Sequence, residues 1–133
     1  MGFELSFGNL KKFQNRLPFY PPDQKKIKVI FCSSKDYNLM KSICECVVVV
    51  DRRKKNIDQY RNDILLNSKV GDSIVSINQG DIIGKLCVQT GRTFLGMENE
   101  QTKMWNVLRI AEEERKHLRE HPENTSFSLF QFL

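Results

Sequence analysis

Apolar positions along the first eighty residues follow two different periods. Ile27-Lys28-Val29-Ile30-Phe31-Cys32, Cys46-Val47-Val48-Val49-Val50 and Ser73-Ile74-Val75-Ser76-Ile77 are short, β-branched and nearly continuous, the pattern of strands covered on both faces. Between them, Tyr37 to Ile43 and Ile57 to Leu66 carry apolar residues at helical spacing. Strands alternating with helices predict a largely parallel sheet, with ligand sites outside the carboxyl ends of its strands. The valine run is expected at the centre of that sheet, buried on both sides.

The flanks add detail. Phe3, Leu5 and Phe7 alternate like an edge strand, and Leu10, Phe13 and Leu17 fit a short helix capped by Asn9. Pro18, Pro21 and Pro22 close this accessory segment, residues 1–24. Asn56 can cap the second internal helix. Asn78-Gln79-Gly80-Asp81 reads as a tight turn into a fourth strand, Ile82 to Val88, with Gly84 as a bulge or a close backbone approach. So short a connection implies an antiparallel hairpin and a mixed sheet. Thr90-Gly91-Arg92 then opens a loop, and a long helix runs from Asn99 or Thr102 to about His121, where Pro122 stops it. Trp105, Leu108, Ala111 and Leu118 are expected on its buried side. Glu98 and Glu100 suit the positive end of its dipole, and Lys116, His117 and Arg119 the negative end. The expected fold is one α/β domain over residues 1–133, with a mixed, mostly parallel sheet of four or five strands, flanking helices and a long carboxyl-terminal helix.

Composition narrows the class. With 40% hydrophobic and 28% charged residues in 133, the chain reads as a globular domain rather than a disordered one. No apolar run approaches the roughly 20 residues that cross a bilayer, and no signal peptide is recognisable, so a cytoplasmic or nuclear location is expected. The net charge of +5 is uneven: residues 1–55 carry a balance of +7 and the remainder −2. Such a basic portion attracts phosphate-rich partners. The expected function is therefore binding, without catalysis, of phosphate-bearing partners, RNA or DNA first among them. Phosphate contacts are expected from Lys25, Lys26, Arg52, Arg53, Lys54 and Lys55, with Phe19 and Tyr20 as stacking surfaces.

Position in the sheet supplies a second candidate. Ser33 and Ser34 follow the first core strand, Asp51, Arg52 and Arg53 the second, and Asn78 and Gln79 the third. Parallel strands bring all of them to one end, where an anion could meet Ser33, Ser34 and the arginines, or a small enzyme could hold a nucleotide-like ligand. No glycine-rich phosphate loop is present. The phrase Phe31 to Tyr37 resembles the opening of TIR-type domains and, without a later catalytic signature, implies no residue roles. A third candidate is a protein-interaction module that docks or self-associates through the long helix and the apolar tail, residues 126–133, with Phe127, Leu129, Phe130 and Phe132 as contacts.

Metal and covalent chemistry are less well supported. His117-Leu118-Arg119-Glu120-His121 has the H-x-x-E-H spacing of a zinc peptidase but no third ligand downstream. A structural zinc on Cys44, Cys46, His117 and His121 is the better metal candidate, although no cofactor is expected. Cys32, Cys44, Cys46 and Cys87 lie in or beside apolar stretches and read as reduced, buried thiols. The carboxylates Asp51, Asp72 and Asp81 sit where turns favour Asp in any case. Met1 to Ser6 matches a loose acylation pattern against which the bulky Phe3 argues, so a membrane partner is not expected.

Overall fold

The computed structural model describes residues 2–16, 27–54, 56–125 and 127. Its elements run β1 (Phe3–Phe7), α1 (Leu10–Arg16), β2 (Ile27–Cys32), α2 (Tyr37–Lys41), β3 (Val47–Val49), α3 (Ile57–Asn67), β4 (Ser73–Ile77), α4 (Gly80–Thr90), β5 (Thr93–Glu98) and α5 (Gln101–Glu120). A short 3-10 turn, Ser34–Asp36, leads into α2, and another, Pro122–Asn124, follows α5. The five strands form one sheet in the order β1-β5-β4-β2-β3, and every neighbouring pair is parallel. The α/β class, the edge position of β1 and the long last helix are as expected.

Alternation of side chains along each strand builds two cores. Ile30, Cys32, Val75, Ile77, Leu95 and Met97 face Phe13 of α1 and Met40 of α2. Val29, Phe31, Ile74 and Phe94 face Tyr60 and Ile64 of α3, Ile83 and Leu86 of α4, and Val107 of α5. Asn9 caps α1 as read, its Oδ1 accepting the Lys12 amide at 2.9 Å.

Three expectations are corrected. The stretch Ile82 to Val88 is helix, not strand: Ile83, Leu86, Cys87 and Thr90 are buried at helical spacing, Gly91 closes the helix in the left-handed conformation at φ 70°, and no hairpin forms. The missing strand is β5, immediately afterwards, so the sheet is wholly parallel rather than mixed. Of the two readings of Gly84, the close approach is the one found, since a Cβ there would meet the Phe3 ring at 3.2 Å. The valine run is the second correction: β3 is a three-residue edge strand, and the centre belongs to β4, whose five residues are all buried. The third concerns α5, which buries Val107, Ala111 and Glu114 and leaves Trp105 59% exposed and Leu108 exposed beside it.

Candidate ligand cleft at the strand ends

The chain leaves β2 toward β3 on one side and leaves β4 toward β5 on the other. Between the carboxyl ends of β2 and β4 the connections therefore part, which opens a crevice of the kind that holds ligands in doubly wound sheets. A cleft of about 450 Å3 occupies this place. Ser33 closes β2, Arg52 follows β3, Asn78, Gln79 and Asp81 form the β4–α4 turn, and Glu98 ends β5; Lys35, Glu100, Lys103 and Asn106 complete the polar rim.

The turn is built from short-range chemistry. Ser76, fully buried in the central strand, accepts the Gln79 amide on its hydroxyl at 3.2 Å. Asn78 adopts the left-handed conformation at φ 59°, which Asn tolerates better than most residues. Its amide donates to the Met97 carbonyl at 2.8 Å, and its Oδ1 accepts the Asn99 amide at 2.9 Å. The ends of β4 and β5 are thus tied through one side chain. Gly80 then allows a close approach: a Cβ there would lie 2.8 Å from Glu98 Oε1 and 3.0 Å from the Val107 methyls.

Glu98 is the unusual group. It is only 2% exposed, and its Oε1 accepts the Gly80 amide at 3.0 Å, at the amino terminus of α4. Oε2 has no hydrogen-bond partner among the described residues. Burial raises its pKa above the ordinary carboxyl value, partly offset by the Gly80 hydrogen bond. Asp81 behaves oppositely. Arg52 donates to both its oxygens, at 2.7 and 2.9 Å, and this pairing holds the Asp81 pKa below its ordinary value against the effect of burial. Arg52 also donates through Nε to Gln79 Oε1 at 3.0 Å, so the β3 and β4 ends meet as the sequence leads one to expect.

The other sequence candidates fall in different places. Asp51 turns away from the cleft, accepting from the Arg53 amide and guanidinium. Arg53 is 91% exposed in its side chain, and Lys54 is exposed too. Ser34 opens the 3-10 turn, while the Ser33 hydroxyl donates to Asp36 at 3.2 Å. Lys25, Lys26, Lys55, Phe19, Tyr20, Leu129, Phe130 and Phe132 lie outside the described residues. Phe127 is partly exposed and its carbonyl accepts from Arg92 at 2.6 Å. Cys44 and Cys46 are not brought to His117 and His121, whose rings lie 4.9 Å apart at the end of α5, and no cluster of three or more metal-ligating side chains occurs among the described residues. Burial raises the Cys32 pKa to about 11, with a smaller contribution from Asp36, which leaves it a poor nucleophile. No helix among the described residues is long and apolar enough to cross a membrane.

Sequence reasoning passed over Glu98, reading it as a helix-dipole residue. The available signal was a βαβ unit: a strand, a turn containing Gly80, a helix, and a second strand ending on an acid 18 residues after that glycine. Searches of protein-family models, curated proteins and solved structures return no match to this chain.

Proposed function

We propose that this protein binds a small nucleoside-bearing ligand in the cleft between β2 and β4, with Glu98 accepting hydrogen bonds from the ribose hydroxyls. The observation that carries the reading is the buried Glu98 carboxyl, whose Oε2 has no partner among the described residues, at the end of the second strand of a βαβ unit. In dinucleotide-binding βαβ units an acid about 20 residues beyond the glycine turn contacts the ribose in this way. The volume fits as well, since small-molecule sites span about 300–1,000 Å3.

Charge refines the ligand. The positive end of α4, where a phosphate often sits, already holds Glu98 on the Gly80 amide and Asp81 in its first turn. The part of the ligand lying over that turn is therefore a hydrogen-bond donor rather than a phosphate. Lys35 and Lys103 at the rim suit a negative group farther out.

Calorimetric titration with the common ribonucleosides, their dideoxy analogues and the Glu98→Ala variant tests this. A ribonucleoside should bind saturably, and removal of the ribose hydroxyls or of the Glu98 carboxylate should each weaken it about tenfold or more, roughly 1.4 kcal/mol. No binding, or equal binding of the dideoxy analogue, overturns the proposal.

A second reading, binding of RNA or DNA, draws on the exposure of Arg53 and Lys54 beside this cleft. Arg52 contributes less to it than the sequence suggests, because its guanidinium is committed to Asp81 and Gln79.

A further inference from the structure

At the opposite end of the sheet, where β1 and β5 begin, a second cavity of about 390 Å3 is lined by Phe3, Val88, Leu118 and Phe127 together with Arg92, Arg115 and Arg119. It shares no lining residue with the cleft at the strand carboxyl ends.

Arg92 sits at its inner wall and is only 4% exposed. The guanidinium donates to the Ser68 hydroxyl at 3.0 Å, the Ser68 carbonyl at 2.7 Å, the Thr90 carbonyl at 2.8 Å and the Phe127 carbonyl at 2.6 Å. All four acceptors are neutral, and a guanidinium has five N–H donors. No carboxylate lies within ion-pair distance of it among the described residues. Burial lowers its pKa, and the carboxylate that partly offsets this, Asp72, accepts the Lys69 amide on its Oδ2 and makes no ion pair with Arg92 among the described residues. A buried cation held by dipoles alone is short of a counter-ion.

The two other arginines strengthen the same field. Arg115 lies over the Phe3 ring, 4.9 Å from its centroid, and both Arg115 and Arg119 reach Glu112 only at 3.7 and 3.9 Å on the open surface, where such pairs contribute little. Apolar walls with several cations and no anion in the lining among the described residues match a ligand of one chemistry: an aliphatic chain ending in a negative group.

We propose that this cavity is a binding site for a small amphipathic anion, an aliphatic carboxylate whose chain lies against Phe3, Val88, Leu118 and Phe127 and whose carboxylate faces the arginines. Electrostatics orients the ligand head toward the three arginines and its chain along the apolar walls, and the cavity volume limits its length.

Calorimetric titration of the full chain with octanoate, and with octanol as the neutral control, tests the assignment. Octanoate should bind saturably and octanol about tenfold or more weakly. The double variant Arg115→Gln/Arg119→Gln, which keeps Arg92, should weaken octanoate several-fold without changing octanol. Leu118→Trp, with native circular dichroism, should abolish both. Equal affinities for octanoate and octanol, absence of saturable octanoate binding, or unchanged octanoate binding in the double variant or in folded Leu118→Trp overturns the proposal. If Leu118→Trp does not fold, the arginine variant decides alone.

Discussion

Glu98 of β5 and Asp81 of α4 both sit at the first turn of α4, and their pKa values are shifted in opposite directions. Burial raises the Glu98 pKa, so its contribution to stability is full below the unfolded value near 4.5 and is lost as pH rises through the folded value. Arg52 depresses the Asp81 pKa, so that contribution is present above the unfolded value near 3.8 and is lost as pH falls through the folded one. Glu98→Gln keeps an oxygen for the Gly80 amide and removes the buried charge. Its melting temperature should exceed that of the parent at about pH 7 and converge with it in acid. Asp81→Asn should do the reverse. It should melt lower at neutral pH, with the gap closing in acid. The Arg52 side chain is half exposed and that of Asp81 a third, so the loss is limited to about 1 kcal/mol, or roughly 4 °C for a chain of this size. A Glu98→Gln gain that persists unchanged in acid would show that the buried charge is not its cause. A gain in Glu98→Gln that disappears in acid would fit the binding role proposed for this carboxylate.

Strand order decides which valines matter. Val75 lies in β4 with no exposed surface, whereas Val49 at the sheet edge is 38% exposed. Val75→Ala should cost about 2–3 kcal/mol and Val49→Ala less than about 1 kcal/mol, read from urea unfolding midpoints. The reverse ranking would put the valine run back at the centre. The run looks central because four β-branched residues in succession satisfy any buried strand, and nothing local says how many neighbours a strand will have. Helix α4 is misleading for a related reason. Ile82, Ile83, Leu86, Cys87 and Val88 fit a short strand as well as a helix, and Gly80 fits a hairpin turn as well as a helix start. Val107, Ala111 and Glu114 bury one face of α5 although Trp105 and Leu108 are larger, because Glu114 finds Gln89 at 3.1 Å and Lys85 at 3.8 Å. Size and polarity alone point to the other face.

Over the whole molecule, the two cavities lie at opposite ends of one parallel sheet, and the exposed cations that follow β3 stand beside the polar one. If those cations contact nucleic acid, each phosphate contact adds about 0.9 to the slope of binding against salt on duplex DNA. Arg53→Gln/Lys54→Gln should therefore flatten that slope by about 1.8, and an unchanged slope would remove these residues from any contact surface. The sequence alone was enough to establish the α/β class, the strands Ile27–Cys32 and Ser73–Ile77, a helix from Ile57 to Leu66, a long helix from Asn99 or Thr102 to about His121, and the end of the sheet where Ser33, Arg52, Asn78 and Gln79 meet. Each of these depends on a period or a strand terminus, which a few neighbouring residues define. Tertiary structure alone decided that β5 enters between β4 and β1, that Arg52 is paired with Asp81, that Glu98 is buried against Gly80, and that Arg92 is enclosed with no carboxylate in ion-pair distance among the described residues. Those features arise between residues far apart in the chain, where packing and desolvation, rather than local propensity, select the arrangement.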